Sequence, residues 1–351
     1  MESLLIDEWL DATMSRTERE SQATRIALLD EASVSVVREH VRLEGAKVRM
    51  PQVAIERLVN VASELARNQW AHARYGEIAI HPIERDSVPG LEIIAADRGD
   101  GIADPTSALR GDRAQSSFRS SLGVGLAAVL ELADEVDFDI RVGEGSCIWA
   151  RKFAEPVCRR REIGIYGRPF PGERVSGDHA CFVRTEGALL VGVADGLGHG
   201  PAARLASMQA ICTLREEAVM PVDGILAACH RTLASTRGAV MTVARFIEPS
   251  GGVEAAAVGN VGLHIYGRGR SYRISGPSSV LGAPGPTRRP NSEVRSLEPY
   301  DVVVIFTDGL STRTNIEGDL DLMREHPIRI AHALAGRFGK DNDDILVMAV
   351  R

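Results

Sequence analysis

The chain has 351 residues, 44% of them hydrophobic and 25% charged, and a formal net charge of −7. That is room for two domains of ordinary size with a globular composition. The acidic balance leaves no basic stripe for nucleic acid, no apolar run approaches the roughly 18–20 residues of a membrane span, and an N-terminus bearing Glu2, Asp7 and Glu8 is unlike a secretory signal.

The five cysteines, Cys147, Cys158, Cys181, Cys212 and Cys229, are odd in number and widely spaced, and none forms a C-x-x-C pair. Neither a disulfide framework nor a zinc site is expected, and a cytoplasmic location fits best.

In chain order, residues 1–24 read as an N-terminal extension. A strand over 25–29 and a helix over 31–43 follow. Pro51 opens a longer helix to residue 73, at the favoured first-turn position. Strands are expected over 77–83 and 91–96. A Gly/Asp-rich turn and a polar loop lead to a helix over 122–133, and strands over 136–142 and 146–153 close a first unit, 25–154. The pattern predicts a sheet covered by helices on one face. A charged segment over 155–162, containing Pro156, reads as a linker to a second unit, 163–351.

The long helix carries Glu64 and Asn68, four apart and therefore on one face, beside an apolar stripe of Leu58, Ala62 and Leu65. Taken alone this is either an ordinary amphipathic helix or the rim of a pocket. The strand over 91–96 runs into Asp97-Arg-Gly-Asp-Gly-Ile102. An aspartate at a strand end can accept a hydrogen bond from an adenine amino group, and Gly99 and Gly101 let backbone approach a ligand. Ser121-Leu-Gly-Val-Gly-Leu126 then opens a helix, where exposed amide N–H groups suit phosphate.

The ordered set E-x-x-x-N, D-x-G-x-G-I and G-x-G-L resembles the GHKL ATP-binding family, and within it the RsbT-like anti-sigma-factor serine/threonine kinases. The resemblance covers about 25–153. It implies a Bergerat-type α/β sandwich binding ATP with Mg²⁺. Glu64 would be the general base, Asn68 the Mg²⁺ ligand and Asp97 the adenine contact, with Gly99, Gly101, Gly123 and Gly125 in the phosphate-side loops. Where relatives often carry further glycines ahead of the second loop, this chain has Ser120 and Ser121. Both phosphoryl transfer and a non-catalytic, nucleotide-gated binding module remain open.

The second unit is richer in strands: 163–168, 179–184, 188–194, 239–247, 253–258, 264–266, 302–307 and 345–350. Helices are expected over 200–218, 222–234 and 320–338, and a Pro/Gly/Ser-rich loop over 276–291. This predicts two stacked sheets flanked by helices.

Acidic motifs stand at its strand boundaries: Ser176-Gly-Asp178, Asp195-Gly-Leu-Gly-His-Gly200, Thr307-Asp-Gly309 and Asp343-Asp344. One such motif is usually a turn. Four of them fit a cation site, because clustered carboxylates repel unless a cation joins them. An all-oxygen set favours Mg²⁺ or Mn²⁺ over zinc. Two such ions can align water with a phosphorus atom and neutralise its oxygens.

These motifs resemble the SpoIIE and RsbX branch of the metal-dependent (PPM) protein phosphatases over about 162–351. The resemblance implies an α-β-β-α sandwich holding two Mn²⁺ or Mg²⁺ ions. Asp195 would bridge them with help from the Gly196 carbonyl. Asp308 and Asp343 would bind one ion, and Asp178 a metal or its water. The usual D-D-x-T ending has Leu346 in place of threonine. His199 reads either as a proton-handling group near the ions or as a cap for the following helix, and the Gly259-Asn260 turn as structural.

The two resemblances together predict an α+β protein that is a kinase/phosphatase switch in bacterial stress or sigma-factor signalling. Its expected partner is a STAS-domain or anti-sigma-antagonist phosphoprotein. The alternative is an N-terminal module that binds nucleotide without catalysis and regulates the phosphatase.

Overall fold

The computed structural model describes residues 23–73, 75–110, 125–185, 187–248, 251–284 and 290–351. The extension before residue 23, Gly123, and the polar loop over 112–120 lie outside these. The described residues divide into two units between Glu162 and Ile163. The architecture is α+β, as expected.

In the first unit β1 (Thr24–Ala27), β2 (Gly76–Arg85), β3 (Val88–Asp97), β5 (Gly145–Phe153) and β4 (Glu135–Arg141) lie in that order, all antiparallel. Helices α1 (Ala32–Lys47), α2 (Gln52–His72) and α4 (Gly125–Leu132) pack on this sheet. Helix α2 buries Ile55, Leu58, Val59, Ala62, Leu65, Ala66 and Gln69. That spacing of three and four residues is the stripe a helix lays against a sheet. Pro51 is the N-cap residue in extended conformation (ψ 141°), one place before the expected helical position. The loop after Asp97 contains a short helix, α3 (Pro105–Arg110), preceded by Asp104, whose carboxylate accepts from the Ser107 N–H at 3.0 Å.

The strand β4, Glu135-Val-Asp-Phe-Asp-Ile-Arg141, alternates charge with apolar residues, and all seven positions are buried. Period-two alternation normally marks a strand with one wet face. Here the charges are paired. Arg151 holds Asp137 and Glu92, each at 2.6 Å, Arg85 takes Glu135 through both oxygens, and Arg141 takes Asp139. Arg85 also donates to the Cys158 carbonyl and Glu135 accepts from the Arg160 N–H, so this network fastens the 155–162 segment to its own unit.

The second unit holds two five-stranded antiparallel arrays. One runs β6 (Ile163–Arg168), β15 (Ile345–Val350), β14 (Val302–Phe306), β11 (Gly262–Gly267), β12 (Arg270–Ile274). The other runs β13 (Glu293–Ser296), β10 (Gly252–Val258), β9 (Ala239–Ile247), β8 (Ala188–Gly196), β7 (Asp178–Thr185). Helices α5 (Pro201–Glu216) and α6 (Val222–Thr232) pack on β7 to β10 around a core that includes Leu190, Ile211, Leu214, Ile225 and Val243. The helix expected over 320–338 is two, α7 (Leu320–Arg324) and α8 (Pro327–Phe338), the latter packed on β6 and β15. Pro327 drives His326 into extended backbone (ψ 142°), which breaks the run.

β12 and β13 went unanticipated. They are mostly exposed edge strands rich in arginine and glutamate, with little hydrophobic signal to read. Among the described residues no helix is long and apolar enough to cross a membrane.

Candidate functional sites

In the second unit the acidic motifs converge at strand ends. Asp178 opens β7 and Asp195 nears the end of β8, and the two are direct cross-strand partners. Opposed residues in an antiparallel pair share a face. Asp308 follows β14, and Asp343 and Asp344 precede its neighbour β15. Two glycines make the approach possible. A Cβ at Gly309 would collide with the Asp344 carbonyl, and one at Gly196 with the Ala203 carbonyl of α5.

The electrostatics are those of an anionic cluster awaiting cations. Burial, then Asp195, Asp344 and Asp308, push the Asp178 carboxyl far above the usual range, against the Thr307 hydroxyl that holds it down. Asp195 is raised to about 8 by burial and then by Asp308, Asp343 and Asp344, with Lys340 opposing. Asp343 is raised by burial first and then by Asp308. Among the described residues no three His, Cys, Asp or Glu side chains are gathered into one ligand shell. Asp178 is buried and Asp195, Asp308 and Asp343 are half-buried, and an all-oxygen, mutually repelling set of this kind fits hard divalent ions.

The two acids of the D-D pair differ. Asp344 is buried and accepts from the Phe170 N–H at 2.6 Å and the Gly177 N–H at 3.0 Å, one bond to each oxygen. Asp343 is half-buried, 3.8 Å from the Lys340 ammonium, and receives the Asp344 N–H. Asp344 therefore fixes the loop ahead of Asp178, while Asp343 faces the cluster.

Sequence reasoning gave no role to the Thr307 side chain, read the Gly259-Asn260 turn as structural and left His199 between two readings. The Thr307 hydroxyl donates to Asp178 at 2.7 Å and accepts from the Leu346 N–H at 3.1 Å. The Asn260 amide donates to Asp308 at 2.9 Å, so the Gly-Asn turn is part of the site's surroundings. His199 does not cap α5, whose N-cap residue, Gly200, has no side-chain cap. Its Nδ1 lies 2.8 Å from Glu173, and its ring stacks on Phe170 at 4.6 Å. The signals were present as Thr next to Asp308, Asn after Gly259 and an acid three residues after Phe170, but none fixes a partner without the fold.

In the first unit α2 packs against both β3 and α4, which sets the helix of Glu64 and Asn68 against the strand of Asp97 and the helix that Gly125 opens. Glu64 and Asn68 are half-buried, and the Glu64 carboxylate is paired with Arg67 at 2.7 Å. Asp97 is buried at the end of β3. It accepts from the Ser146 hydroxyl at 2.5 Å and from the Gly99 N–H at 2.7 Å, and burial raises its carboxyl above the ordinary value. Gly101 (φ +66°) abuts the Arg141 carbonyl, so packing on the β4–β5 hairpin accounts for its lack of a side chain. A Cβ at Gly125 (φ +40°), at the start of α4, would meet none of the described residues within 4 Å.

Comparison with known proteins agrees with this division. Residues 27–152 match the histidine kinase-like ATPase domain, and residues 185–351 match the Stage II sporulation protein E (SpoIIE) family. The serine/threonine-protein kinase RsbT of Bacillus subtilis (strain 168) is 32% identical over 130 residues, covering 36% of this chain and 94% of RsbT. A solved structure described under "The bacterial stressosome: a modular system that has been adapted to control secondary messenger signaling" is 29% identical, with TM-score 0.51, over 55% of this chain and 100% of its own. The structure of RsbX in complex with magnesium is 21% identical, with TM-score 0.48, over 56% of this chain and 96% of its own. The chain belongs with RsbT in the histidine kinase-like ATPase family through its N-terminal unit, and its C-terminal unit carries a SpoIIE-type phosphatase domain.

Proposed function

We propose that the chain is a two-armed switch on a partner protein of bacterial stress or sigma-factor signalling, a STAS-domain protein in the first instance. The C-terminal unit removes phosphate from phosphoserine or phosphothreonine with two Mn²⁺ or Mg²⁺ ions. The carrying observation is the carboxylate cluster, in which burial and the neighbouring acids, Asp308 among them, hold Asp178, Asp195 and Asp343 above the ordinary carboxylate range. The ions supply activation of water and neutralisation of the phosphoryl oxygens. Asp195, with the Gly196 carbonyl, would serve both ions, Asp308 and Asp343 would serve one of them, and Asp178 would serve a metal or its water. Asp344 and Thr307 position these groups.

The N-terminal unit binds ATP with Mg²⁺. Asn68 serves the ion, Asp97 the adenine amino group, and Gly99, Gly101, Gly123 and Gly125 belong to the phosphate-side loops. In the switch reading Glu64 is the base that takes the proton from the acceptor hydroxyl. The Glu64–Arg67 ion pair favours a second reading, because it occupies the carboxylate that would have to take the proton. In that reading the unit binds ATP without transferring phosphate and regulates the phosphatase.

Incubation of the full chain with a ³²P-labelled phosphoprotein partner tests the phosphatase arm. Phosphate release is expected to require divalent metal and to vanish in Asp195→Asn. Release that survives a chelator or that substitution refutes the site. Label transfer from γ-labelled ATP to the partner, abolished by Glu64→Ala, supports the kinase arm, whereas ATP binding without transfer supports the regulatory one.

A further inference from the structure

Helix α2 buries one polar side chain that its fold does not use. Gln69 is 5% exposed, and neither its Oε1 nor its Nε2 has a hydrogen-bond partner among the described residues. A carboxamide offers one acceptor oxygen and two N–H donors, and buried groups of this kind are almost always paired. An apolar residue at this position would pack against the sheet without that cost.

The register shows what lies beside it. Gly76 opens β2, and a Cβ built there would lie 2.9 Å from both the Cβ and the Oε1 of Gln69. The Gln69 carboxamide therefore fills the space where a side chain at 76 would stand. Gly76 is the cross-strand partner of Asp97, and Asp97 is the partner of Ser146 on β5. Directly opposed residues share a face, with Cβ atoms roughly 4.5–5.5 Å apart. Gln69, Asp97 and Ser146 thus form a row across β2, β3 and β5 on the helix-covered face. The Asp97–Gly99 turn closes the row's end against the last turn of α2, near the His72 carbonyl and Ala73.

A carboxylate beside a carboxamide, both buried, presents two acceptors and a donor at one edge. Adenine matches that pattern. Its amino group carries two hydrogens and its N7 accepts, and a glutamine amide pairs with N6 and N7 as a bidentate unit. Guanine presents acceptors at both O6 and N7, which sets an oxygen against the Gln69 Oε1 and the Asp97 carboxylate.

We propose that Gln69 is a base-recognition residue. Its Oε1 accepts one adenine amino hydrogen and its Nε2 donates to N7, while Asp97 takes the other amino hydrogen. This rests on the reading of the unit as an ATP site, and it adds a residue that selects the base. No partner for this amide stands among the described residues, and adenine would satisfy it.

The test is calorimetric binding of ATP and 7-deaza-ATP, with Mg²⁺, to the full chain and to Gln69→Leu and Gln69→Met. Losing a bidentate contact lowers ATP affinity on the order of 10- to 100-fold. The nucleotide-free variants are expected to melt no lower than the parent. 7-Deaza-ATP, which lacks the N7 acceptor, is expected to bind parent and variants with much closer affinities. Unchanged ATP affinity in either folded variant overturns the assignment, as does an equal loss for both nucleotides. A parent chain that binds no ATP refutes the nucleotide site itself, a distinct outcome.

Discussion

The Thr307 hydroxyl is a small group on which two parts of the phosphatase site depend. It donates to Asp178 at 2.7 Å and receives the Leu346 N–H at 3.1 Å, and all three residues are buried. Thr307→Val keeps the shape and removes both bonds. A hydrogen bond to a charged group contributes about 1.5–3 kcal/mol, and an orphaned buried N–H costs about 1–3 kcal/mol. Together these give an expected loss of about 2.5–6 kcal/mol. For a unit of this size each kcal/mol moves the melting temperature by about 2–4 °C, which gives a fall of roughly 5–24 °C. Asp178 also loses the donor that favours its charged form, so half-saturation by Mn²⁺ in a p-nitrophenyl phosphate assay should need about tenfold more metal, the equivalent of about 1.4 kcal/mol. Thr307→Ser retains both bonds and should stay close to the parent in both assays. A Val variant with the parent's melting temperature and metal response would refute the argument.

Three further outcomes follow from the geometry. Arg151→Met strands Asp137 and Glu92, which the guanidinium now holds at 2.6 Å each; urea unfolding should show a loss of about 3–5 kcal/mol, and a change under 1 kcal/mol would contradict the buried network. Burial, and then Arg273, push His264 down to about 4 from its ordinary 6.5. The unfolded chain binds that proton first, so this contribution to stability is complete above about pH 6.5. It is lost as pH falls towards 4, by at most about 3 kcal/mol. His264→Gln should flatten the slope of the urea midpoint over that window, and an unchanged slope counts against a buried neutral imidazole. Asn260→Ala removes the amide donor to Asp308 and should raise the Mn²⁺ requirement several-fold while leaving the melting temperature within about 2 °C.

Much of the molecule could be read before folding. The helices around Glu64 and after Gly200, and the strands leading to Asp97, Asp195 and Asp308, declare themselves by periodicity and by the glycines that follow the acids. What escaped depends on long-range contacts. The acids of β4 look solvated, because alternation says which residues share a face but not that arginines from β2 and β5 will cover it. The division of labour between Asp343 and Asp344 is set by the Phe170 and Gly177 N–H groups, more than 160 residues away along the chain. Gln69 passes as one more polar residue in an amphipathic helix until Gly76 places it beside Asp97.

The absent threonine at 346 fits into the same picture. The Leu346 backbone N–H goes to the Thr307 hydroxyl, and the Thr307 N–H returns to the Leu346 carbonyl at 3.1 Å. The hydroxyl that steadies Asp178 thus comes from the end of β14, and the position at 346 needs to supply only backbone and an apolar side chain. Asp178 and Asp195 are cross-strand partners in one five-stranded array; Asp308 and Asp343 flank strands of the other. Among the bonds that join them are the Thr307 hydroxyl to Asp178 and the Gly177 N–H to Asp344. The spacing of the four acids is therefore a property of how the two arrays are held together. A substitution that lets them slide, however far from the acids, should weaken metal binding before it unfolds the unit.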